Sequence, residues 1–501
     1  LRADAEVHRL REGNVPITGK ILEVAARDPE LPAIVGPGAR ITFGELPGDA
    51  ARIWAAVTEL DHSTRPVVAV SSTDAVHTAR FVAGLAGYDA TVATIDPRWP
   101  LPHRVRVAAG TSVTLVITDS ADLAAALADA DWAGRVISLD EFRALEARVE
   151  PAAAPTVRDS AEPFLMLFSS GTTSDPKAFY KTRAQYRANF AVSSAHLEPT
   201  PGTATLAPGP LSYSLTLYAL IECLASGGTC HVGDRFDPLE AGRRIEAEGI
   251  TRVVAVPAVI EALALAAQRA PERFAGVNLL VAGGANLPPR IRAAAARALP
   301  NARLISYYGA AEIGFIGDSR TDDGEIALYD GIDAEVRDAD GVPLPDGEIG
   351  ELWIRADATS DGYLPATTDE RLRDARGWAT VHDQARLRGR RLELLGRAGD
   401  IVVTGGHKVS LPEIERAFDA VAGLGEVCAV PVADASLGSV VALVVEGDSP
   451  AKSVLLEHAR GRLAPQFVPR RFYRLPELPR TVGGKVRRGA TADLLDGAVR
   501  L

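Results

Sequence analysis

The chain has 501 residues, 47% of them hydrophobic and 24% charged, and its 54 basic against 65 acidic side chains leave a net charge of −11. That is ordinary globular usage, and it excludes a mainly disordered chain, a collagen-like fibre and a coiled coil. The acidic balance argues against a nucleic-acid footprint, yet it permits one anionic small molecule in a local pocket.

Length predicts about three domains, or one large α/β core with a small companion. Short β-branched runs at 67–70, 114–118, 252–256 and 279–282 read as buried strands. Helical patterns at 50–60 and 291–299 fall between such runs. Strands alternating with helices suggest βαβ units and parallel sheets. An Ala/Pro spacer occupies 151–155. From 324 to 395 the apolar residues alternate and turn residues intervene, which predicts antiparallel strands. A Gly-rich break at 396–399 marks a boundary, giving an N-terminal domain of residues 1–395 and a C-terminal domain of 396–501 with strands at 427–432 and 440–445. The fold class expected is α/β, with a β-rich subdomain in the large domain and a small α+β domain after it.

Three cysteines, Cys223, Cys230 and Cys428, are too few for a disulfide framework and suit a reducing compartment. The most apolar stretch, 253–267, contains Pro257 and Glu261 and is too short to span a bilayer. The first six residues have no basic-then-apolar leader pattern. The expectation is a cytoplasmic protein bound neither to membrane nor to nucleic acid; the sequence assigns no oligomeric state. Cys230 and His231 form a tempting pair but lack a second ligand set, so they read as strand core.

The densest chemical signal follows the apolar run 164–168. It comprises Ser169, Ser170, Gly171, Thr172, Thr173, Ser174, Asp175, Pro176 and Lys177. Small residues let backbone N–H groups approach a polyphosphate, and hydroxyls and a lysine add donors. Taken alone, the same string also suits a Ser/Thr-rich surface loop. It is not the common Gly-Lys-Ser/Thr nucleotide loop, because the second glycine and the Gly-Lys pair are missing.

This loop resembles the signature loop of the adenylate-forming superfamily, which includes acyl-CoA synthetases, aryl-acid ligases and peptide-synthetase adenylation domains. Further resemblances follow in that family's order. They are Asp96-Pro97-Arg98-Trp99-Pro100, Tyr308-Gly309-Ala310-Ala311-Glu312, Gly350-Glu351-Leu352 with Gly362-Tyr363, and Gly377-Trp378 with Asp383. Then come Gly396-Arg397-Ala398-Gly399-Asp400, the stretch 406–415 and the run from Leu478 through Gly483-Gly484 to Lys485. Their joint order is more specific than any one string.

The resemblance implies that a carboxylate attacks the α-phosphorus of ATP, releasing pyrophosphate and leaving an acyl-adenylate. It makes Lys485 the adenylation lysine, although a solvated tail lysine beside Arg487 and Arg488 is the plainer alternative. It makes Glu312 a Mg²⁺ ligand with Thr172 near the same ion, and Asp383 the ribose partner with Arg397 on the same sugar edge. It assigns nucleotide contacts to Ser169, Ser170, Gly171, Thr172, Thr173 and Lys177, to Gly283, Gly284 and Ala285, and to Tyr307, Tyr308, Gly309, Ala310 and Ala311. Either tyrosine also suits plain core. Gly406 matches a glycine that lets pantetheine pass, or is a turn glycine.

The implied second step moves the acyl group to a thiol, on coenzyme A or on a carrier protein. An amine acceptor, or a non-catalytic nucleotide-binding role, is the rival reading. Tyr213 and Ser214 align with a substrate-facing pair. Ser214 stands where amino-acid-activating relatives place an aspartate, so an aliphatic or aromatic acid is expected, because a buried ammonium without a carboxylate is costly. Five positions depart from the family pattern: Ser174 replaces a glycine, Ala311 a threonine, Val381 and His382 a Thr-Gly pair, and Gly399 an acidic or basic hinge residue.

Overall fold

The computed structural model describes residues 17–501 except 170–175, 322–323, 405–406, 420, 422, 435–437, 464 and 482–483. Two sheets organise the first four-fifths of the chain. The first has six strands in the order Arg135–Ile137, Leu115–Thr118, Val67–Ser71, Thr91–Thr94, Pro163–Phe168, Ala178–Thr182. Every neighbouring pair is parallel except the last, a hairpin. Strands 67–71, 91–94 and 115–118 are buried at every position, as continuous apolar runs covered on both faces should be.

The second sheet has thirteen strands. Its centre is a parallel block in the order Pro32–Gly36, Thr229–His231, Ala204–Leu206, Arg252–Ala255, Leu279–Ala282, Arg303–Ala310. Beyond Arg303–Ala310 the pairing turns antiparallel through Gly314–Ser319, Ile326–Leu328, Arg391–Arg397, Asp383–Arg388, Ile349–Arg355 and Asp333–Arg337. The expected strands at 252–256 and 279–282 thus share one mixed sheet with the antiparallel segment, while those at 67–70 and 114–118 lie in the first sheet. The apolar stretch 253–267 divides at Pro257, where a strand ends and the helix Pro257–Arg269 begins. Proline suits a first helical position, since its missing N–H would have no intrahelical partner.

Helices Ala75–Leu85 and Ser214–Ser226 are buried on nearly every side, as apolar all-round helices must be. Their side chains join strands of both sheets in one hydrophobic core. Cys230 and His231 lie in that buried strand, His231 Nδ1 sitting 2.5 Å from Glu248 Oε2. Among the described residues no helix is long and apolar enough to cross a membrane.

The C-terminal region folds on its own small sheet. Val427–Asp434 pairs antiparallel with Gly438–Glu446, which pairs in parallel with Arg471–Leu475. A separate hairpin pairs Ile401–Thr404 with His407–Ser410. The last strand of the large sheet runs through Arg397 and leads into a single 3₁₀ turn, Ala398–Asp400.

One buried cation ties the first sheet to its helices. Arg183 opens the helix Arg183–His196 behind a capping box of Thr182 and Gln185. It is 2% exposed and donates to Glu162 Oε2 at 3.1 Å and to the carbonyls of Ala86 and Tyr88, both at 2.9 Å. Replacing it with methionine strands these acceptors. Arg183→Met is expected to destabilise the protein by about 3–5 kcal/mol, read as a lower midpoint in urea unfolding followed by far-UV circular dichroism.

Candidate active site

The C-terminal ends of parallel strands are where ligands bind in open α/β sheets, and the predicted motifs gather there. Strand Leu279–Ala282 ends at Gly283, and its neighbour Arg303–Ala310 ends at the Tyr308–Ala311 motif. The turn after Ala310 is tight, with the Ile313 N–H bonded to the Ala310 carbonyl at 3.0 Å. Gly309 is required there, because a Cβ would stand 2.5 Å from the Gly314 carbonyl oxygen. This turn presents Glu312, which is 6% exposed.

The two adjacent tyrosines point to opposite faces, as alternate strand residues do. Tyr307 packs edge-on to Phe315, with ring centroids 4.7 Å apart. Its ring fills the space beside Gly283, where a Cβ would lie 2.3 Å from Tyr307 Cζ. The missing side chain of Gly283 therefore makes room for Tyr307, and Tyr307 belongs to the packed interior. Gly284 and Ala285 are exposed, and Gly284 has a left-handed φ of +78°. The nearest side chains to its missing Cβ are Val256 and Leu215, 3.5 and 3.7 Å away. Leu215 follows Tyr213 and Ser214 at the start of their helix, so the predicted substrate-facing pair adjoins the glycine pair.

Tyr308 faces the other way and donates its hydroxyl to Asp383 Oδ2 at 2.6 Å. Asp383 lies directly across the ladder from Arg397, whose Nε is 3.4 Å from Asp383 Oδ1. Burial pushes the Asp383 carboxyl up, while Tyr308, Arg397 and Lys485 pull it down. Burial and the Arg397 charge in turn push the Lys485 ammonium below its usual value, with Asp383 opposing. Lys485 thus lies within electrostatic reach of both residues, although it belongs to the C-terminal region.

A tight hairpin places Lys485. The Thr481 N–H bonds the Lys485 carbonyl at 2.7 Å, and the Lys485 N–H bonds Thr481 Oγ1 at 3.1 Å. Gly484 supplies the left-handed residue, with φ of +80°. Arg488, just beyond, is no solvated tail residue. It pairs with Asp400 at 2.6 Å and also with Glu415 and the Ala429 carbonyl. Asp400 accepts the Arg397 N–H at 3.1 Å, so one carboxylate links the chain at Arg397 to the lysine-bearing segment.

Lys177 closes the predicted phosphate loop. The hairpin flanking the loop pairs Ser169 N–H with the Lys177 carbonyl at 2.9 Å and Lys177 N–H with Ser169 Oγ at 3.2 Å. Ser170, Gly171, Thr172, Thr173, Ser174 and Gly406 lie outside the described residues. The Lys177 ammonium pairs with Glu370 and sits 5.4 Å from the centre of the Tyr363 ring. Tyr363 donates its hydroxyl to Glu312 Oε1 at 3.1 Å, connecting the loop lysine to the Glu312 turn.

One residue here, Lys181, escaped the sequence reading. Lys181 is 3% exposed and donates to the carbonyls of Glu312 at 2.9 Å and Ala358 at 2.5 Å. It pins the Glu312 turn from beneath, and burial pulls its ammonium down to about 7. Asp96, wholly buried, holds Arg98 at 2.9 and 2.7 Å and accepts Ser212 Oγ–H at 3.1 Å. Arg98 lies 5.7 Å from the Tyr213 ring centre, so the early Asp-Pro turn abuts the substrate-facing segment. Burial pushes the Tyr213 hydroxyl up to about 12.

A family model described as AMP-binding enzyme matches residues 21–364, and one for the AMP-binding enzyme C-terminal domain matches residues 413–485. The chain is 27% identical over 434 residues to an uncharacterized acyl-CoA ligase of Bacillus subtilis (strain 168), covering 83% of this chain and 86% of that one. It is 31% identical over 385 residues to a salicylyl-CoA synthase / salicylate adenylyltransferase of a Streptomyces species, covering 70% and 68%. The crystal structure of ATP-bound MatB from Rhodopseudomonas palustris superposes with a TM-score of 0.85 at 23% identity, covering 94% and 99%.

The fit of Tyr307 against Gly283 is directly testable. Gly283→Ala forces the ring or the strand end to move and is expected to destabilise by about 1–3 kcal/mol. Differential scanning calorimetry measures the change, and an unaltered transition would contradict the packing described.

Proposed function

The chain belongs to the AMP-binding enzyme family of adenylate-forming enzymes, and on that footing we propose that it activates a carboxylic acid with ATP and passes the acyl group to a thiol. The observation that carries the reading is the convergence of Tyr308, Asp383, Arg397 and Lys485 from segments far apart in the chain. The reading divides the chain at residue 395, with the acid and ATP bound by the first part and Lys485 delivered by the second.

In the proposed first step a carboxylate oxygen bonds to the α-phosphorus of ATP, and the bond from that phosphorus to the β-bridging oxygen breaks. Pyrophosphate leaves with that electron pair. Asp383 accepts hydrogen bonds from the ribose hydroxyls, and it must be ionised to offer both oxygens. Burial raises the Asp383 carboxyl above its usual value, and the Tyr308 hydroxyl and the Arg397 cation oppose that rise. Lys485 sets its ammonium against the carboxylate and α-phosphate oxygens, where preorganised charge lowers the barrier most. Lys177, Ser169 and the loop between them neutralise the departing pyrophosphate.

The donor set fits Mg²⁺. One Glu312 oxygen is engaged by Tyr363, leaving the other for the ion. Among the described residues no cluster of three or more His, Cys, Asp or Glu could hold a metal. Bound there with Thr172, Mg²⁺ would neutralise phosphate charge.

For the second step the acceptor proposed is the thiol of coenzyme A or of a carrier-protein pantetheine, entering past Gly406. The thiolate sulfur bonds to the acyl carbon, the bond from that carbon to the AMP oxygen breaks, and AMP leaves. Ser214 presents no carboxylate to an α-ammonium, which favours an aliphatic or aromatic acid.

ATP–pyrophosphate exchange across a panel of acids tests the first step. Exchange is expected for an aliphatic or aromatic acid, and Lys485→Ala is expected to lower it by about 100- to 1,000-fold. Undiminished exchange in that variant would overturn the reading. Thioester and AMP formation with coenzyme A or a pantetheinyl carrier then tests the thiol step, and an amine-dependent AMP release without it would replace the thiol by a nitrogen acceptor.

A further inference from the structure

His382 departs from the family's glycine and adopts the backbone that glycine favours, with φ of +64°. For a side chain with a Cβ, the left-handed region is disfavoured. The ring faces charges on three separate segments. Nδ1 is 3.0 Å from Glu351 Oε1 on the strand Ile349–Arg355. Nε2 is 3.6 Å from Glu370 Oε2. That same Glu370 oxygen is the one that pairs with Lys177, and the Lys177 charge is near enough to oppose protonation of the ring. Glu351 also accepts the Thr380 hydroxyl at 2.8 Å and feels the Arg337 charge. The next residue, Asp383, is turned toward Tyr308 and Arg397.

Stability does not account for this placement. The His382 side chain is 48% exposed and that of Glu370 44%, and pairs so exposed contribute little to stability. Strained residues that persist at a ligand site point instead to function.

We propose that Glu370 and His382 form a latch on the phosphate-loop lysine: Glu370 engages Lys177 before ATP arrives, and the His382 imidazolium takes over Glu370 when Lys177 moves to the phosphates. The inference rests on the reading that Lys177 meets the phosphates of ATP. Its energetics follow from charge. With His382 protonated, the departure of Lys177 leaves Glu370 compensated. With His382 neutral, it leaves an uncompensated carboxylate near a polyphosphate, and the like charges repel. ATP therefore binds more tightly to the protonated form. Glu351 and Glu370 hold the ring's pKa above its usual 6.5, against the opposing effects of burial and Lys177. The change thus falls in a window above pH 6.5, where rising pH removes the proton and weakens ATP binding. His382 and Glu370 are positioning residues: they act through Lys177 and touch no reacting atom.

The test compares wild type, His382→Asn, Glu370→Gln and the double variant between pH 6 and 9. Asparagine tolerates the left-handed backbone while carrying no charge. KM for ATP and kcat come from pyrophosphate exchange, and MgATP affinity comes independently from equilibrium dialysis. Comparing each variant with wild type at the same pH cancels titration of ATP itself. In wild type, KM and Kd are expected to rise about two- to fivefold across the window, the range of a partly exposed pair. His382→Asn is expected to hold the high value at every pH, and Glu370→Gln the low one. The double variant is expected to match Glu370→Gln, and kcat at saturating ATP to stay within about twofold throughout. A wild-type pH response in His382→Asn, or a raised KM in Glu370→Gln, overturns the latch. Dialysis that shows the latch without exchange for any acid overturns the acid-activation reading and leaves the latch standing.

Discussion

The structure turns on one half-buried carboxylate. Asp383 sits where the antiparallel half of the large sheet faces the C-terminal hairpin, and removal from water makes its charge unfavourable. Tyr308 donates to one of its oxygens and Arg397 faces the other. The same charge makes the position of Lys485 tolerable beside Arg397, since two cations in a half-buried site repel unless an anion lies between them. A strand register, a tyrosine and a lysine from another part of the chain all depend on that one anion.

A second charge chain runs parallel to the first. Glu312 is pinned through its carbonyl by Lys181 and through its carboxylate by Tyr363. Tyr363 also lies under Lys177, which pairs with Glu370. Tertiary contact thus joins, end to end, the motifs that the sequence presents as separate strings. The links are two hydrogen bonds, a cation–π contact and an ion pair.

The resemblance in the sequence located most of these strings, because their residue types are set by chemistry: a glycine for a close approach, a carboxylate for hydroxyls, a lysine for phosphate. It did not show which tyrosine does what. Tyr307 and Tyr308 read alike, yet strand alternation sends one into the core against Gly283 and the other to Asp383. Nor did it reveal Lys181, whose partners are backbone carbonyls and so leave no mark in residue types.

The sequence by itself determined the α/β class, the buried strands at 67–70 and 279–282, the antiparallel stretch before residue 396 and the order of the motifs. These follow from local periodicity and from residues whose backbone freedom or charge is needed wherever the fold places them. Only the tertiary structure decided that the parallel and antiparallel halves share one sheet, that Asp96 holds Ser212 just before the helix Ser214–Ser226, and that His382 occupies a glycine's backbone between two glutamates. The reason is physical: strand order and ion pairing depend on which distant surfaces meet, and no local pattern of side chains encodes that meeting.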